Sequence, residues 1–124
     1  MKKILNLWLP VLIGMGAIFY ASSIPGQKIP HVVTYQDTIF HFLAYFVLGL
    51  FFARALKTSY LNVTLISLAV FTCLFGVTYG VSDEYHQLFV PNRYCSGLDV
   101  FIDGFGALIG GTFFPLFNLK KVAG

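Results

Sequence analysis

Thr58-Ser-Tyr-Leu-Asn-Val-Thr-Leu-Ile-Ser-Leu-Ala-Val-Phe-Thr-Cys-Leu-Phe-Gly-Val-Thr-Tyr-Gly-Val-Ser82 contains no charged side chain. At about 1.5 Å per residue, a helix of this length crosses the roughly 30 Å hydrocarbon core of a bilayer. Ile4 to Gln27 is equally free of charge. Thr38 to Ala53 and Gly104 to Leu119 also lack formal charge but are slightly short. Each needs the polar turn before it to complete a crossing, Asp37 in one case and Asp99 with Asp103 in the other. A chain of 124 residues has room for one domain, and 57% hydrophobic with 10% charged residues is too apolar for a soluble fold of that size. The expectation is therefore all-α: an integral membrane four-helix bundle, one domain over 1–124, with spans at about 4–24, 37–56, 61–82 and 99–117.

The charges orient these spans. Lys2, Lys3, Arg54, Lys57, Lys120 and Lys121 lie at the start, the middle joint and the end of the chain. By the positive-inside rule both termini are cytoplasmic and the protein is a multi-pass protein of the cell membrane. Lys28 and Arg93 are the only bases left outside. The formal charge of +3 then reflects basic helix ends meeting anionic headgroups, and the bilayer rather than nucleic acid is the partner. Met1-Lys-Lys, an apolar run and Ala21-Ser22-Ser23 resemble a cleavable secretory signal, but the run is long for one and is read as a retained span. Cys73 falls in mid-span and Cys95 in an outer loop, so no disulfide joins them, and neither has a partner at metal-ligand spacing.

All five acids and all three histidines fall between Lys28 and His41 or between Asp83 and Asp103. Pro25-Gly26 and Pro91-Asn92 mark turns in the two outer loops. The second helix opens Asp37-x-x-x-His41-x-x-x-Tyr45, which places all three residues on one face, and the fourth opens Asp99-x-x-x-Asp103 at the same spacing. The third leaves the membrane through Tyr79-x-x-x-Asp83, followed by Glu84, His86 and Gln87. Three helices thus bring polar faces to one outer depth. Acids there face a bundle interior or a wet cavity, because an Asp at mid-helix costs about 2.5 to 3.5 kcal/mol to insert.

Alternatives stand beside the functional reading. Asp37 and Asp99 are suited to capping their helices. Asp103, a turn deeper, is either a site residue or half of a buried pair with Arg93 or His41. Three ionisable residues in four positions, Asp83, Glu84 and His86, exceed what a loop needs and are read as functional. Gly106 and Gly110 form a G-x-x-x-G face that admits another helix, with oligomerisation one use of it. The halves also match weakly: Ser22 and Ser82 precede Gln27 and Gln87 by five positions, and Gly49 and Gly111 follow Asp37 and Asp99 by twelve. Either a repeat about the membrane normal or chance accounts for this.

The series Tyr79-Gly-x-x-Asp83-Glu84-x-His86-Gln87-x-Phe89-Val-Pro91-x-Arg93, then Asp99-x-x-x-Asp103-x-x-Gly106, resembles the VanZ-like family of small bacterial membrane proteins. Ser22-Ser-Ile-Pro-Gly26 and Asp37-x-x-x-His41-Phe-x-x-Tyr45 extend the resemblance over nearly the whole chain. Asn92 stands where the family usually has Gly; Asn tolerates left-handed geometry, so the turn is expected to persist. The resemblance implies a helical membrane protein, and the family's name comes from an accessory factor linked with resistance to glycopeptide antibiotics, especially teicoplanin. It supplies no settled molecular activity.

The expected site is a polar pocket at the outer face. Asp83, Glu84 and His86 are its candidate catalytic groups, with Glu84 or His86 as acid or base. Arg93, Asp103, His41, Gln87, Asp37, Asp99 and Tyr79 are its candidate ligand-binding groups, with Arg93 gripping a phosphate or carboxylate in bidentate fashion and pairing with a carboxylate when no ligand is bound. The ligand would be an envelope lipid, a cell-wall precursor or a lipoglycopeptide. So many acids repel an anion unless protons or a divalent cation intervene, although no strong metal motif is present. The rivals are a non-enzymatic shielding or partner-binding module and a small proton-coupled transporter; whether the protein is an enzyme stays open.

Overall fold

The structure, a computed structural model, describes the backbone of residues 1–60 and 62–123 and the side chains of residues 1–60 and 62–116. Among the described residues four helices follow one another: α1 (Lys2–Ser22), α2 (Gln36–Ser59), α3 (Leu65–Gln87) and α4 (Gly97–Ala123), with a 3-10 turn at Gly26–Lys28. Over Lys2–Ser22, Gln36–Ser59, Leu65–Gln87 and Gly97–Leu116 they are long and apolar enough to cross a membrane. Large apolar side chains cover the exterior, Ile13, Phe71, Leu74 and Phe101 among them. On a soluble monomer so large an apolar surface would drive association; in a bilayer it meets acyl chains.

The helix ends differ from expectation in two informative places. α3 begins at Leu65, where the Thr64 hydroxyl accepts a hydrogen bond from the Ser67 N–H at 3.1 Å. The expected start at Leu61 lies outside the described residues, as do the side chains of Phe117, Lys120 and Lys121. At its other end α3 does not stop at Ser82 but runs through Asp83 and Glu84 to Gln87. No proline interrupts it before Pro91, and Asp83, Glu84 and Gln87 all turn inward at helical spacing, so these polar residues belong to the bundle interior rather than to a loop.

The helices alternate in direction, so α1 runs parallel to α3 and α2 to α4. Trp8 near the start of α1 meets Phe52 near the end of α2, with ring centroids 5.8 Å apart. His41 and Asp103, near the starts of α2 and α4, are in contact. The α2–α4 seam is built from small residues. A Cβ on Gly106 would lie 2.7 Å from the Phe42 carbonyl oxygen, one on Gly110 would strike the Phe46 carbonyl, and one on Gly49 would strike the Ala107 carbonyl. The Gly106–Gly110 face, expected to admit another helix, is filled by α2 of the same chain. Gly76 and Gly111 let α3 approach α4 in the same way, against Ala107 and Thr72. Close backbone approach gives dispersion contacts that branched side chains would prevent.

α1 is held differently. Leu7, Val11 and Ile18 join the buried cluster around Tyr45, Leu48, Ala55 and Ala107. The Tyr79 hydroxyl donates to the Met15 carbonyl at 2.5 Å. Two loops lock together at this polar end: the Gly26 N–H donates to the Pro91 carbonyl at 3.0 Å, and no side chain would fit on Gly26, because its Cβ would run into the Asn92 carbonyl. Asn92 has φ 56°, so the left-handed turn is kept without glycine.

Candidate functional site

At the polar end the starts of α2 and α4 face the end of α3. One helical turn into each, the inward positions are His41, Asp83 with Glu84, and Asp103, and all four are buried. The His41 Nδ1 and Asp103 Oδ1 are 2.7 Å apart; with Asp103 ionised, the imidazole N–H donates to the carboxylate. One ligand atom from each of the four residues lies within 4.8 Å of those of the others. Asp103, with no exposed surface, fits because residue 80 is glycine: a Cβ there would stand 2.8 Å from Asp103 Oδ2.

Hydrogen bonding leaves this cluster incomplete. Glu84 Oε2 accepts from the Ser96 N–H at 2.9 Å, but Glu84 Oε1, Asp103 Oδ2 and both oxygens of Asp83 have no partner. The buried Ser22 hydroxyl approaches Asp83 outside hydrogen-bonding geometry. Tyr45, one turn below His41 with its ring nearly parallel to the imidazole, is 1% exposed and its hydroxyl also lacks a partner. Two carboxylates at such separation repel by about 3 kcal/mol even at an effective dielectric near 20. A neutralising proton or cation is the physical answer to three such groups.

Above the cluster opens a pocket of about 280 Å³. Its walls include Asp37, His41, Gln87, Arg93 and Asp99 of the expected site. Because His41 borders the pocket and also belongs to the cluster, it links the two layers. His31, Gln36, Tyr94 and Ser96 line the pocket as well, and only their position in the two polar stretches signalled them beforehand. Tyr45 could have been found as the third member of the i, i+4, i+8 face.

Other expected residues fall elsewhere. His86 turns toward α1, stacked on Phe19 at 4.2 Å between centroids, with Nε2 3.3 Å from the Ser23 hydroxyl. The group that converges with Asp83 and Glu84 thus includes His41 and Asp103, not His86. Tyr79 sits outside the pocket, bound to the Met15 carbonyl. Asp37 and Asp99 are not caps: α2 starts at Gln36 behind Tyr35, whose φ is 59°, and α4 starts at Gly97, so both acids lie within the first turn. There they still meet the positive end of the helix dipole.

The expected pairing of Arg93 with a carboxylate is corrected. Its Nε donates to the Ile24 carbonyl at 2.9 Å and its Nη2 to the Ala21 carbonyl at 2.8 Å. Beyond one long bond from the Ile24 N–H to Ala21 at 3.3 Å, these carbonyls at the end of α1 have no further helical turn to satisfy them, and a guanidinium fork complements both their geometry and the negative end of the dipole. Arg93 therefore clamps α1 to the α3–α4 connection while forming one wall of the pocket.

No curated protein and no solved structure matches the chain. The sequence profile of the VanZ/LLP1 family matches residues 7–118, which takes in most of the first span, the other three spans and every residue of the cluster and the pocket. The chain, a multi-pass helical membrane protein, belongs to the VanZ/LLP1 family.

Proposed function

We propose that this is an envelope protein of the cell membrane that binds an amphiphilic lipid or cell-wall precursor at its outer face. The observation that carries the reading is the juxtaposition of a 280 Å³ polar pocket with an apolar exterior. A headgroup fits the pocket while its hydrocarbon lies along the helices in the same bilayer. Both termini are then cytoplasmic, with Lys2, Lys3, Arg54 and Lys57 at the inner ends of the helices. The pocket walls offer His31, Gln36, Asp37, Gln87 and Asp99 for sugar, amide or amine groups, and Arg93 for an anion once it exchanges a carbonyl partner.

Binding without turnover is favoured over catalysis because Asp83 and Glu84 stand behind His41 rather than in the pocket wall. In such a module the retained ligand is shielded or presented, and a link to glycopeptide resistance would follow from sequestering the antibiotic's lipid tail or its precursor target.

The test is titration of delipidated protein in detergent micelles with a polyprenyl-linked cell-wall precursor and with phosphatidylglycerol, read by native mass spectrometry. Retention of the precursor that falls about tenfold or more in Asp99→Asn and His31→Ala is expected. Equal retention of every lipid, unaffected by these substitutions, would mean that only the greasy exterior binds. Teicoplanin susceptibility of cells with and without the protein then tests the link to resistance.

A further inference from the structure

The geometry points to a divalent transition-metal site formed by His41, Asp83, Glu84 and Asp103 at the base of the pocket. Their ligand atoms, within 4.8 Å of one another, come from three different helices. Two ligands at about 2.0 to 2.2 Å from a common ion can stand at most about 4.4 Å apart. Rotation of the carboxylates closes the shell, drawing the most distant pair in by a few tenths of an ångström where the two ligands are trans and by about 1.4 Å in a tetrahedral arrangement.

Two observations beyond the acidity of the cluster point to a ligand. Asp83, 4% exposed, directs two partnerless oxygens into the protein interior. The hydroxyl of Tyr45, a residue 1% exposed and one turn below His41, is likewise partnerless. Gly80 adds the space: the backbone of α3 is bare where the Asp103 carboxylate rests. The nearest guanidinium, Arg93, gives its hydrogen bonds to the end of α1 and reaches Asp83 only through its longer-range charge.

The donor set chooses the class of ion. Three carboxylates suit Mg²⁺, Ca²⁺ or Mn²⁺, whereas a neutral imidazole suits Zn²⁺, Fe²⁺, Cu²⁺ or Ni²⁺. Zn²⁺ takes carboxylate oxygen beside imidazole, and Mn²⁺ is the transition metal of the oxygen-preferring group, so these two are the ions to test. The coordination involves no redox step: the carboxylates donate lone pairs to the ion, and His41 donates that of its unprotonated ring nitrogen, which is Nε2 while Nδ1–H stays bonded to Asp103, or Nδ1 once that hydrogen bond is given up and the proton moves to Nε2. This site stands whether or not the pocket takes an amphiphile. One consequence does rest on that reading, for an ion next to His41 makes the acidic floor of the pocket attractive to an anionic headgroup.

Purified protein in detergent, stripped with EDTA and returned to chelator-free buffer, is titrated with Mn²⁺ by electron paramagnetic resonance and with Zn²⁺ by calorimetry. About one ion per chain is expected for the wild type. Asp83→Asn and Asp103→Asn, which preserve side-chain volume, should weaken binding about tenfold or more. Circular dichroism and monodispersity identify any variant that misfolds, and the wild-type stoichiometry needs no variant. Failure of both ions to bind the wild type stoichiometrically, or folded variants that bind as the wild type does, overturns the site. Repeating the precursor titration with and without the ion separates the two ideas: metal binding with no precursor binding in either state sinks the amphiphile reading alone.

Discussion

α1 and α4 both pack against α2, yet by opposite means. α4 meets α2 backbone to backbone through Gly49, Gly106 and Gly110, whereas α1 meets its neighbours through large side chains such as Trp8 and Leu7 and through tethers at its polar end. A seam of glycines has no slack, because any added atom pushes a helix away. Side-chain packing can readjust, and individual tethers contribute modestly. The α2–α4 pair is thus the rigid frame that holds His41 against Asp103, and α1 is the adjustable wall.

Gly110→Val is the most severe way to test that contrast. Its Cβ meets the Phe46 carbonyl, which cannot move without moving α2. Overpacking in a core costs about 1 to 3 kcal/mol and more where backbone is struck; loss of monodisperse protein on size exclusion is expected. Gly16→Val in α1, where a Cβ meets nothing within 4 Å, should leave yield and melting temperature near wild type. If both variants behave alike, the frame-and-wall distinction fails.

Next comes the pair that the frame holds. His41→Ala strands Asp103 among carboxylates, and removing one partner of a buried pair costs about 3 to 5 kcal/mol. Asp83→Asn removes a charge that has no hydrogen-bond partner and should leave the melting temperature of the metal-free protein unchanged or higher. Melting followed by tryptophan fluorescence of Trp8 reads both, and a larger loss in Asp83→Asn would show that its carboxylate has a hidden cationic partner.

Arg93→Lys should cost less, about 1 to 3 kcal/mol, since a lysine reaches one of the two carbonyls but not both. Its signature is loosening confined to the end of α1, seen as faster hydrogen exchange around Ala21 to Ile24 with the α2–α4 seam still protected. Protection lost evenly over all four helices would place Arg93 in the frame rather than the wall.

The smallest effect concerns Cys95, which lies in the connection between α3 and α4. Residual burial, then the carboxylates of Glu84 and Asp99, raise its thiol above the ordinary range. Since the thiolate reacts, labelling by a membrane-impermeant maleimide in intact cells should accelerate as pH rises from about 7 to 9. Cys73, within α3, should stay unlabelled. Reaction of Cys95 only after permeabilisation would invert the orientation and leave the helices unchanged.

The sequence carried the four spans plainly, because uncharged runs of such length have few other uses, and the i, i+4 spacing of Asp37–His41 and Asp99–Asp103 brought the right faces together. It also offered His41 as one of two partners for Asp103, and the structure selects it. The rest depended on tertiary neighbours. Whether Gly106 and Gly110 admit a helix of the same chain or of another is not encoded in their spacing. Nor does an arginine after a Pro-Asn turn disclose that the carbonyls of Ala21 and Ile24 lie within its reach. The charges of Asp83 and Glu84 end the apolar run without ending α3, because Asp83, Glu84 and Gln87 share an inward face.

The hydrogen bonds from Gly26 to Pro91 and from Arg93 to Ala21 and Ile24 span more than sixty positions of sequence. During synthesis, the end of α1 has therefore left the ribosome long before the groups that close it exist. The first hairpin must wait with open carbonyls in the headgroup layer, where water can serve them, until α3 has crossed and delivered its turn. His41 waits longer still, for Asp103 on the last helix. The polar end is thus completed only when the last helix begins, and a nascent chain halted before it would hold a sealed α1 beside a histidine that still lacks its acid.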